Sequence, residues 1–185
     1  MPCAHTLQRR QFLKTAGTLL AGSYYLAGCS APPSRWRFFT EAEAGLADCI
    51  AEQIIPADQD PGARDAGVVN FLDKQLVGPY KRFQAQYRSG LAAVEKTSQE
   101  MFGRTFAKLA WDQQTNLLLA LESGSAKRSG WQSTSSQEFF QMIREHCLQG
   151  FYGSPRRGGN RNYVSYRMLG LDYPQIIGQN RHKRN

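Results

Sequence analysis

Residues 80–103 have the sequence YKRFQAQYRSGLAAVEKTSQEMFG and carry the longest helical pattern of the predicted domain. Its apolar residues recur at steps of three, four and seven: Phe83, Tyr87, Leu91, Val94 and Met101, with Phe102 beside the last. This spacing predicts one apolar face of a long α-helix that ends near Gly103. Gly90 lies inside that helix, where glycine costs about 1 kcal/mol relative to alanine. We therefore expect Gly90 to mark a close approach of another element.

Helix signals also precede this stretch. Thr40 and Glu43 form a capping box, which predicts that a helix begins at Glu41 and that Pro56 stops it. Its expected buried face is Ala44, Ala47, Ile50, Ala51 and Ile54. A turn-rich loop follows, and residues 68–76 then predict a short apolar helix.

Two further helices are predicted after Gly103. Residues 112–122 form one that Gly124 stops, and Ser135 with Glu138 makes a second capping box that opens the other. The expected apolar face of this last helix is Phe139, Phe140, Ile143, Cys147 and Leu148. We expect Gly150 to close it. No run alternates with period two, so the predicted fold class is all-α, a single small helical domain with long loops.

The N-terminal residues 1–28 have the composition of an export signal. Arg9, Arg10 and Lys14 precede a short apolar segment, and no acidic residue occurs before Glu41. The segment is diluted by Gly, Ser and Thr and falls short of the ~20 apolar residues that span a bilayer. Arg9-Arg10-Gln11-Phe12-Leu13-Lys14 resembles a twin-arginine (Tat) signal. That resemblance implies export to the periplasm of a chain that folds in the cytoplasm.

A second signal closes this segment. Leu26-Ala27-Gly28-Cys29 resembles a lipobox, in which the cysteine is acylated and becomes the new N-terminus. The alternative is ordinary cleavage nearby. Residues 29–38, which include Pro32 and Pro33, are expected to form a tether to a domain over residues 39–185. Lipidation at Cys29 would make the mature protein a membrane-anchored lipoprotein.

The positive charge is concentrated at the C-terminal end. The whole chain has a formal charge of +8, but residues 150–185 contain seven basic residues against Asp172 alone. Those residues are Arg156, Arg157, Arg161, Arg167, Arg181, Lys183 and Arg184. A basic tail indicates an acidic partner or a membrane surface, and export makes nucleic acid an improbable partner.

The cysteines and histidines do not predict a metal or haem site. Cys49 and Cys147 remain once Cys3 and Cys29 are assigned to the export segment, and no CxxC motif occurs. These two cysteines could form a disulfide in an oxidising compartment, or they could be buried free thiols.

Other chemistry-bearing residues favour structural roles. Asp58, Asp60 and Asp65 cluster in one loop, but their spacing departs from an EF-hand, so we expect turn and cap roles. The Gly153–Asn162 loop lacks a nucleotide-binding glycine pattern. Glu145 and His146 are adjacent on a helix and point about 100° apart, so they do not predict an acid–base pair, and His146 is expected to be packed. We predict no catalytic, cofactor or metal site in this chain.

Two long segments resemble the gluconate 2-dehydrogenase subunit 3 family. The first is residues 54–73, IIPADQDPGARDAGVVNFLD, and the second is residues 150–162, GFYGSPRRGGNRN, which continues to YRMLG at 166–170. The resemblance extends from about Phe39 to Asp172. It implies the small, non-catalytic subunit of a membrane-associated periplasmic dehydrogenase for gluconate, another sugar or a polyol.

The same resemblance implies the partners. The large subunit would bind FAD and belong to the glucose–methanol–choline type, and a multihaem cytochrome c with haem c can accompany it. The Tat translocon would export the folded complex on this chain's signal. We expect Phe151 and Tyr152 to be contact residues for the partner, with Arg156, Arg157 and Arg161 as charged contacts, because aromatic residues and arginine are enriched in interfaces. A loop folded on its own domain is an equal alternative for these residues.

Two functions therefore compete at this stage. One is an accessory subunit of an FAD-dependent dehydrogenase, and the other is a free-standing exported lipoprotein with a binding or scaffold role. Co-purification of a flavoprotein would distinguish them.

Overall fold

A computed structural model describes residues 35–126, 128–132 and 134–171. These residues all belong to the same compact unit. The predicted export-signal residues Arg9, Arg10, Phe12, Leu13 and Lys14, the lipidation residue Cys29 and most of the tether lie outside the described residues.

The described residues form seven α-helices and five short 3₁₀ turns, with no strand among them. The α-helices are α1 (Glu41–Ile54), α2 (Ala63–Ala66), α3 (Val68–Leu76), α4 (Gln84–Phe102), α5 (Trp111–Glu122), α6 (Ser136–Tyr152) and α7 (Val164–Met168). Helix α6 packs on both α3 and α5, and α1 packs on α2 and α3. The all-α prediction is confirmed. No helix in the described part of the chain is long and apolar enough to cross a membrane.

Both predicted capping boxes are present. Thr40 Oγ1 accepts a hydrogen bond from the Glu43 backbone N–H at 3.2 Å, and the Glu43 carboxylate accepts one from the Thr40 N–H at 2.8 Å. Ser135 and Glu138 make the same exchange at the start of α6. These local patterns set the starts of α1 and α6 as predicted.

The close crossing of α4 and α6 explains why Gly90 lies in the middle of α4. Tyr87, Leu91 and Val94 are buried on the inner face of α4. A Cβ atom on Gly90 would overlap the ring of Phe139, so only glycine admits this ring. The predicted close approach at Gly90 is confirmed. Met101, in the last turn, is 38% exposed and lies outside the core.

The predicted end of α6 at Gly150 is wrong, because the helix continues to Tyr152 and Gly153 is its C-cap. Gly150 is buried inside the helix, where an added Cβ would lie 2.9 Å from Phe71 Cδ1 of α3. The glycine therefore permits two helices to pack closely and does not end one of them.

A buried carboxylate joins the chain before α1 to helix α3. Asp73 is fully buried and accepts hydrogen bonds from the backbone N–H groups of Arg37, Phe38 and Phe39 at 2.8–3.1 Å. Such a cluster of N–H donors satisfies a buried carboxylate. The entry of the chain into the domain is thus fixed to α3.

Cys49 and Cys147, the cysteines within the described residues, are free thiols in this structure. Cys147 is fully buried, and burial raises the pKa of its thiol to about 12. The thiolate form of Cys147 is therefore suppressed at neutral pH. Cys49 is half-buried beside Arg64, and the Nη2 atom of Arg64 lies 3.7 Å from the Cys49 Sγ.

Candidate partner-binding surface

The second resemblance segment includes the loop that joins α6 to α7, residues 153–163. Helix α3 holds this loop in place. Asn70 Nδ2 donates to the carbonyl of Gly158 at 2.7 Å. Lys74 Nζ donates to the carbonyl of Arg156 at 3.0 Å, and Gln75 Nε2 donates to that of Arg157 at 3.1 Å. Three consecutive carbonyls are thus tied to one helix, which fixes the turn that presents the two arginines.

The same loop contains unusual backbone conformations. Asn160, Asn162 and Tyr163 have φ angles of 44°, 55° and 59°, a region that side-chain-bearing residues rarely adopt. Asn160 is buried, donates to the Gly153 carbonyl at 2.9 Å and accepts from the Ser165 N–H at 3.0 Å. Strained residues persist where the surroundings hold them, and they are common at functional sites.

A shallow groove of about 590 Å³ lies beside this loop. Buried Phe71 contributes to its lining, and Leu148 and Tyr152 of α6, which are 40% and 43% exposed, are its large exposed apolar side chains. Gln149 and Ser154 add polar groups, and of the described lining residues only Arg157 is charged. We call this feature the α6 groove. A concave apolar surface with a few polar groups is typical of a binding site.

The loop beside the α6 groove and the helices α3 and α7 carry exposed basic residues. Lys74, Arg156, Arg157, Arg161 and Arg167 are all exposed. The sequence from 150 to 171 contains no acidic residue. Arg157 also lies close enough to Tyr80 to influence its hydroxyl: burial raises the pKa of Tyr80, and Arg157 acts in the opposite direction. Tyr80 in turn bonds Gln149 at the edge of the groove.

The structure treats the five predicted partner-contact residues differently. Tyr152, Arg156, Arg157 and Arg161 are exposed, and the guanidinium of Arg161 lies over Gly67, where an added Cβ would be 2.9 Å from Nη2. Phe151 is 1% exposed and belongs to the core. The prediction that Phe151 contacts a partner is therefore wrong for this structure, because its side chain is on the buried face of α6.

Sequence reasoning missed Leu148 as a surface residue. The predicted apolar face includes both Cys147 and Leu148, yet adjacent positions on a helix differ by about 100°. Leu148 and Tyr152 are four residues apart and therefore share a face, whereas Cys147 and Phe151 share the buried one. Helical geometry alone would have paired Leu148 with Tyr152. The contribution of Phe71 could not be found this way, since it comes from another helix.

His146 is packed, as predicted, in an aromatic environment. Its ring stacks on Tyr80 with centroids 4.2 Å apart, and Phe83 contacts it edge-on at 5.0 Å. The hydroxyl of Tyr87 lies 3.0 Å from Nδ1. Burial lowers the pKa of His146 to about 4, so the imidazole is neutral at physiological pH. Glu145 beside it is exposed, and the two side chains occupy different environments.

The aspartate cluster has the turn and cap roles predicted for it. Asp58 accepts from the Asp60 N–H at 2.8 Å, and Asp65 accepts from the Gly62 N–H at 3.1 Å. Among the described residues no group of three or more His, Cys, Asp or Glu side chains is arranged to hold a metal ion.

A second groove, of about 470 Å³, lies between α1 and α4. Its lining is largely apolar, and two of its charged residues, Glu43 and Arg88, form an ion pair with each other. The α6 groove differs from it because the charged residue among its described lining residues, Arg157, is basic.

The fold and this surface define the chain as a small all-α domain whose most distinctive feature is an apolar groove beside a rigid basic loop. The model of the gluconate 2-dehydrogenase subunit 3 family matches residues 41–172, more than two thirds of the chain. The chain belongs to this family. Comparisons with curated proteins and with solved structures find no match. The family indicates an accessory subunit of a dehydrogenase complex.

Proposed function

We propose that this chain is the non-catalytic small subunit of a periplasmic FAD-dependent dehydrogenase that oxidises gluconate, another sugar or a polyol. The observation that supports this proposal is the family match over residues 41–172. The flavin would be bound by a large subunit of the glucose–methanol–choline type, and a cytochrome c subunit could receive the electrons. This chain would contribute stability and export, and the partner would contribute the chemistry.

The physical role of such a subunit is to bind the folded flavoprotein and not the unfolded one. A ligand that binds only the folded state shifts the folding equilibrium toward that state by mass action. The rigid loop held by α3 supports this role, since a preorganised surface loses little conformational entropy on binding.

Export and anchoring complete the proposal. The Arg9-Arg10 pair would direct the folded complex to the Tat translocon, and an acylated Cys29 would hold it at a membrane. Replacement of both Arg9 and Arg10 by lysine should leave the complex in the cytoplasm.

Mass spectrometry of the mature N-terminus should find acylated Cys29. An unmodified N-terminus beyond residue 29 would exclude the lipid anchor.

The decisive experiment produces the flavoprotein with and without this chain and measures dye-linked dehydrogenase activity in the periplasm. We expect activity only when both chains are present, and we expect the two to co-purify with bound flavin. Full periplasmic activity without this chain would refute the proposal, as would dehydrogenase activity of this chain alone. If no flavoprotein co-purifies, the free-standing lipoprotein becomes the better interpretation.

A further inference from the structure

We infer that the α6 groove is the surface that receives the partner, and that its occupant is a segment of the flavoprotein in which an apolar side chain lies next to a carboxylate. This inference rests on the proposed function, because it names the place and the chemistry of the contact that function requires. It commits to one surface of the domain and to one kind of occupant.

The apolar half of the occupant follows from the groove's own side chains. Leu148 and Tyr152 stand on one face of α6 with 40% and 43% of their surface exposed, and buried Phe71 lies beside them in the lining. Exposed large apolar side chains gathered in a concavity mark an interaction site more often than scattered ones do. An apolar side chain placed between Leu148 and Tyr152 would remove both from water.

The carboxylate follows from charge complementarity. Arg157 is the charged residue among the described residues that line the groove, and the exposed Lys74 of α3 donates to the loop carbonyl just before it. No acidic residue occurs between 150 and 171. The guanidinium of Arg157 offers forked donors that match the two oxygens of a carboxylate. The acidic residue of α6 that lies three positions before Leu148 is Glu145, and its carboxylate already accepts a hydrogen bond from Gln141.

The rigidity of the loop favours a specific contact over a general electrostatic attraction. The backbone carbonyl of Arg157 is held by Gln75, and the carbonyls on either side of it are held by Lys74 and Asn70. The position from which the Arg157 side chain projects is therefore set before binding. Preorganised donors bind with a smaller entropic cost and select the partner's geometry.

The test uses the full chain and the purified flavoprotein subunit that is produced with it, with binding read from the flavin absorbance retained by the immobilised chain. Two variants alter the groove, Leu148→Asp and Arg157→Glu. Two matched controls make the same changes at exposed positions elsewhere, Leu119→Asp on α5 and Arg104→Glu after α4. All four sites are exposed, so folding should be retained, and denaturant unfolding checks this for each variant.

We expect each groove variant to weaken binding by about tenfold or more and each control to stay within about twofold. The wild-type affinity should fall as salt is raised from about 0.05 to 0.5 M, and Arg157→Glu should flatten that dependence. If the wild-type chain binds the flavoprotein and Leu148→Asp and Arg157→Glu bind equally well, the inference is overturned and the proposed function stands. An affinity that does not change with salt would overturn the inference that the occupant carries a carboxylate. Failure of the wild-type chain to retain the flavoprotein would instead refute the proposed function itself.

Discussion

Gly45 and Gly90 both lie in helix interiors, but only Gly90 faces another element. A Cβ on Gly90 would overlap the buried ring of Phe139, whereas a Cβ on Gly45 meets nothing within 4 Å. Gly90→Ala should therefore destabilise the domain by about 1–3 kcal/mol, because overpacking outweighs the gain in helix propensity. Gly45→Ala should stabilise it by about 0.5–1 kcal/mol. Urea unfolding of the two variants measures both signs, and equal effects would contradict the packing argument.

His146 should make the stability of the domain depend on pH. Burial lowers its folded-state pKa to about 4; Arg82 acts in the same direction and Glu145 against it. In the unfolded chain the imidazole titrates near about 6.5. Between these values the unfolded state binds more protons, so stability is fully present above about pH 6.5 and falls as the pH drops toward 4. We expect this group to contribute roughly 1–2 kcal/mol of that loss, after discounting for solvent screening.

The measurement compares unfolding free energies at about pH 7 and 4.5 for the wild type and for His146→Gln. Glutamine can still pair with the hydroxyl of Tyr87 but does not titrate in this range. The variant should lose less stability than the wild type on acidification. Parallel pH profiles would show that His146 does not titrate as the structure implies.

At the scale of elements, the loop between α6 and α7 depends on Asn160. Its side chain bonds Gly153 and Ser165, and its backbone has a positive φ of 44°. Asn160→Ala loses both hydrogen bonds and keeps the strain, so we expect a cost of about 2–3 kcal/mol. Asn160→Gly loses the bonds but relieves the strain and should cost less. The exposed Asn162, with φ 55°, is the control: Asn162→Gly should stay within about 1 kcal/mol of the wild type.

Hydrogen exchange locates the effect. The N–H groups of Arg157 and Gly158 bond carbonyls within the loop, and Asn160→Ala should speed their exchange while amides in α4 keep their protection. Uniform loss of protection would instead mean that Asn160 stabilises the whole domain.

The elements that could be predicted from sequence are those whose signals are local. The pairs Thr40–Glu43 and Ser135–Glu138 correctly predicted two helix starts, and the apolar period of α4 predicted its end at Gly103. The start of α4 was not predicted, because residues 81–83 form a 3₁₀ turn and the α-helix begins at Gln84. Gly150 was misassigned because a glycine that ends a helix and one that admits a neighbour look alike in sequence. Only the position of Phe71 on α3 separates the two, and that is a contact between residues far apart in the chain.

The candidate surface was predictable in part for the same reason. Its arginines and Tyr152 occur in one segment of sequence and could be predicted from it. The burial of Phe151 could not be predicted from that segment. The side-chain donors of Asn70, Lys74 and Gln75 lie 82 to 88 residues before the carbonyls that they hold. Two family-resemblance segments that are distant in sequence therefore pack on each other in the fold. The hydrogen bonds from Arg37, Phe38 and Phe39 to Asp73 could not be predicted either, because their donors and acceptor lie 34 to 36 residues apart.

At the scale of the whole molecule, the α6 groove and its charged lining residue Arg157 lie where α3, the end of α6 and the loop that follows it meet. If the flavoprotein binds there in its folded state alone, its stability must rise with the concentration of this chain. At 100 times the dissociation constant the gain should be about 2.7 kcal/mol, which is large enough to raise the melting temperature of the flavoprotein measurably. Flavin fluorescence during a thermal scan reports that temperature at each concentration.

The shift in melting temperature depends on the ratio of the concentration of this chain to its dissociation constant. Leu148→Asp should therefore need about tenfold more protein for the same shift, and the control Leu119→Asp should match the wild type. A flavoprotein whose melting temperature is unchanged at saturating wild-type chain would show that this chain does not stabilise its partner.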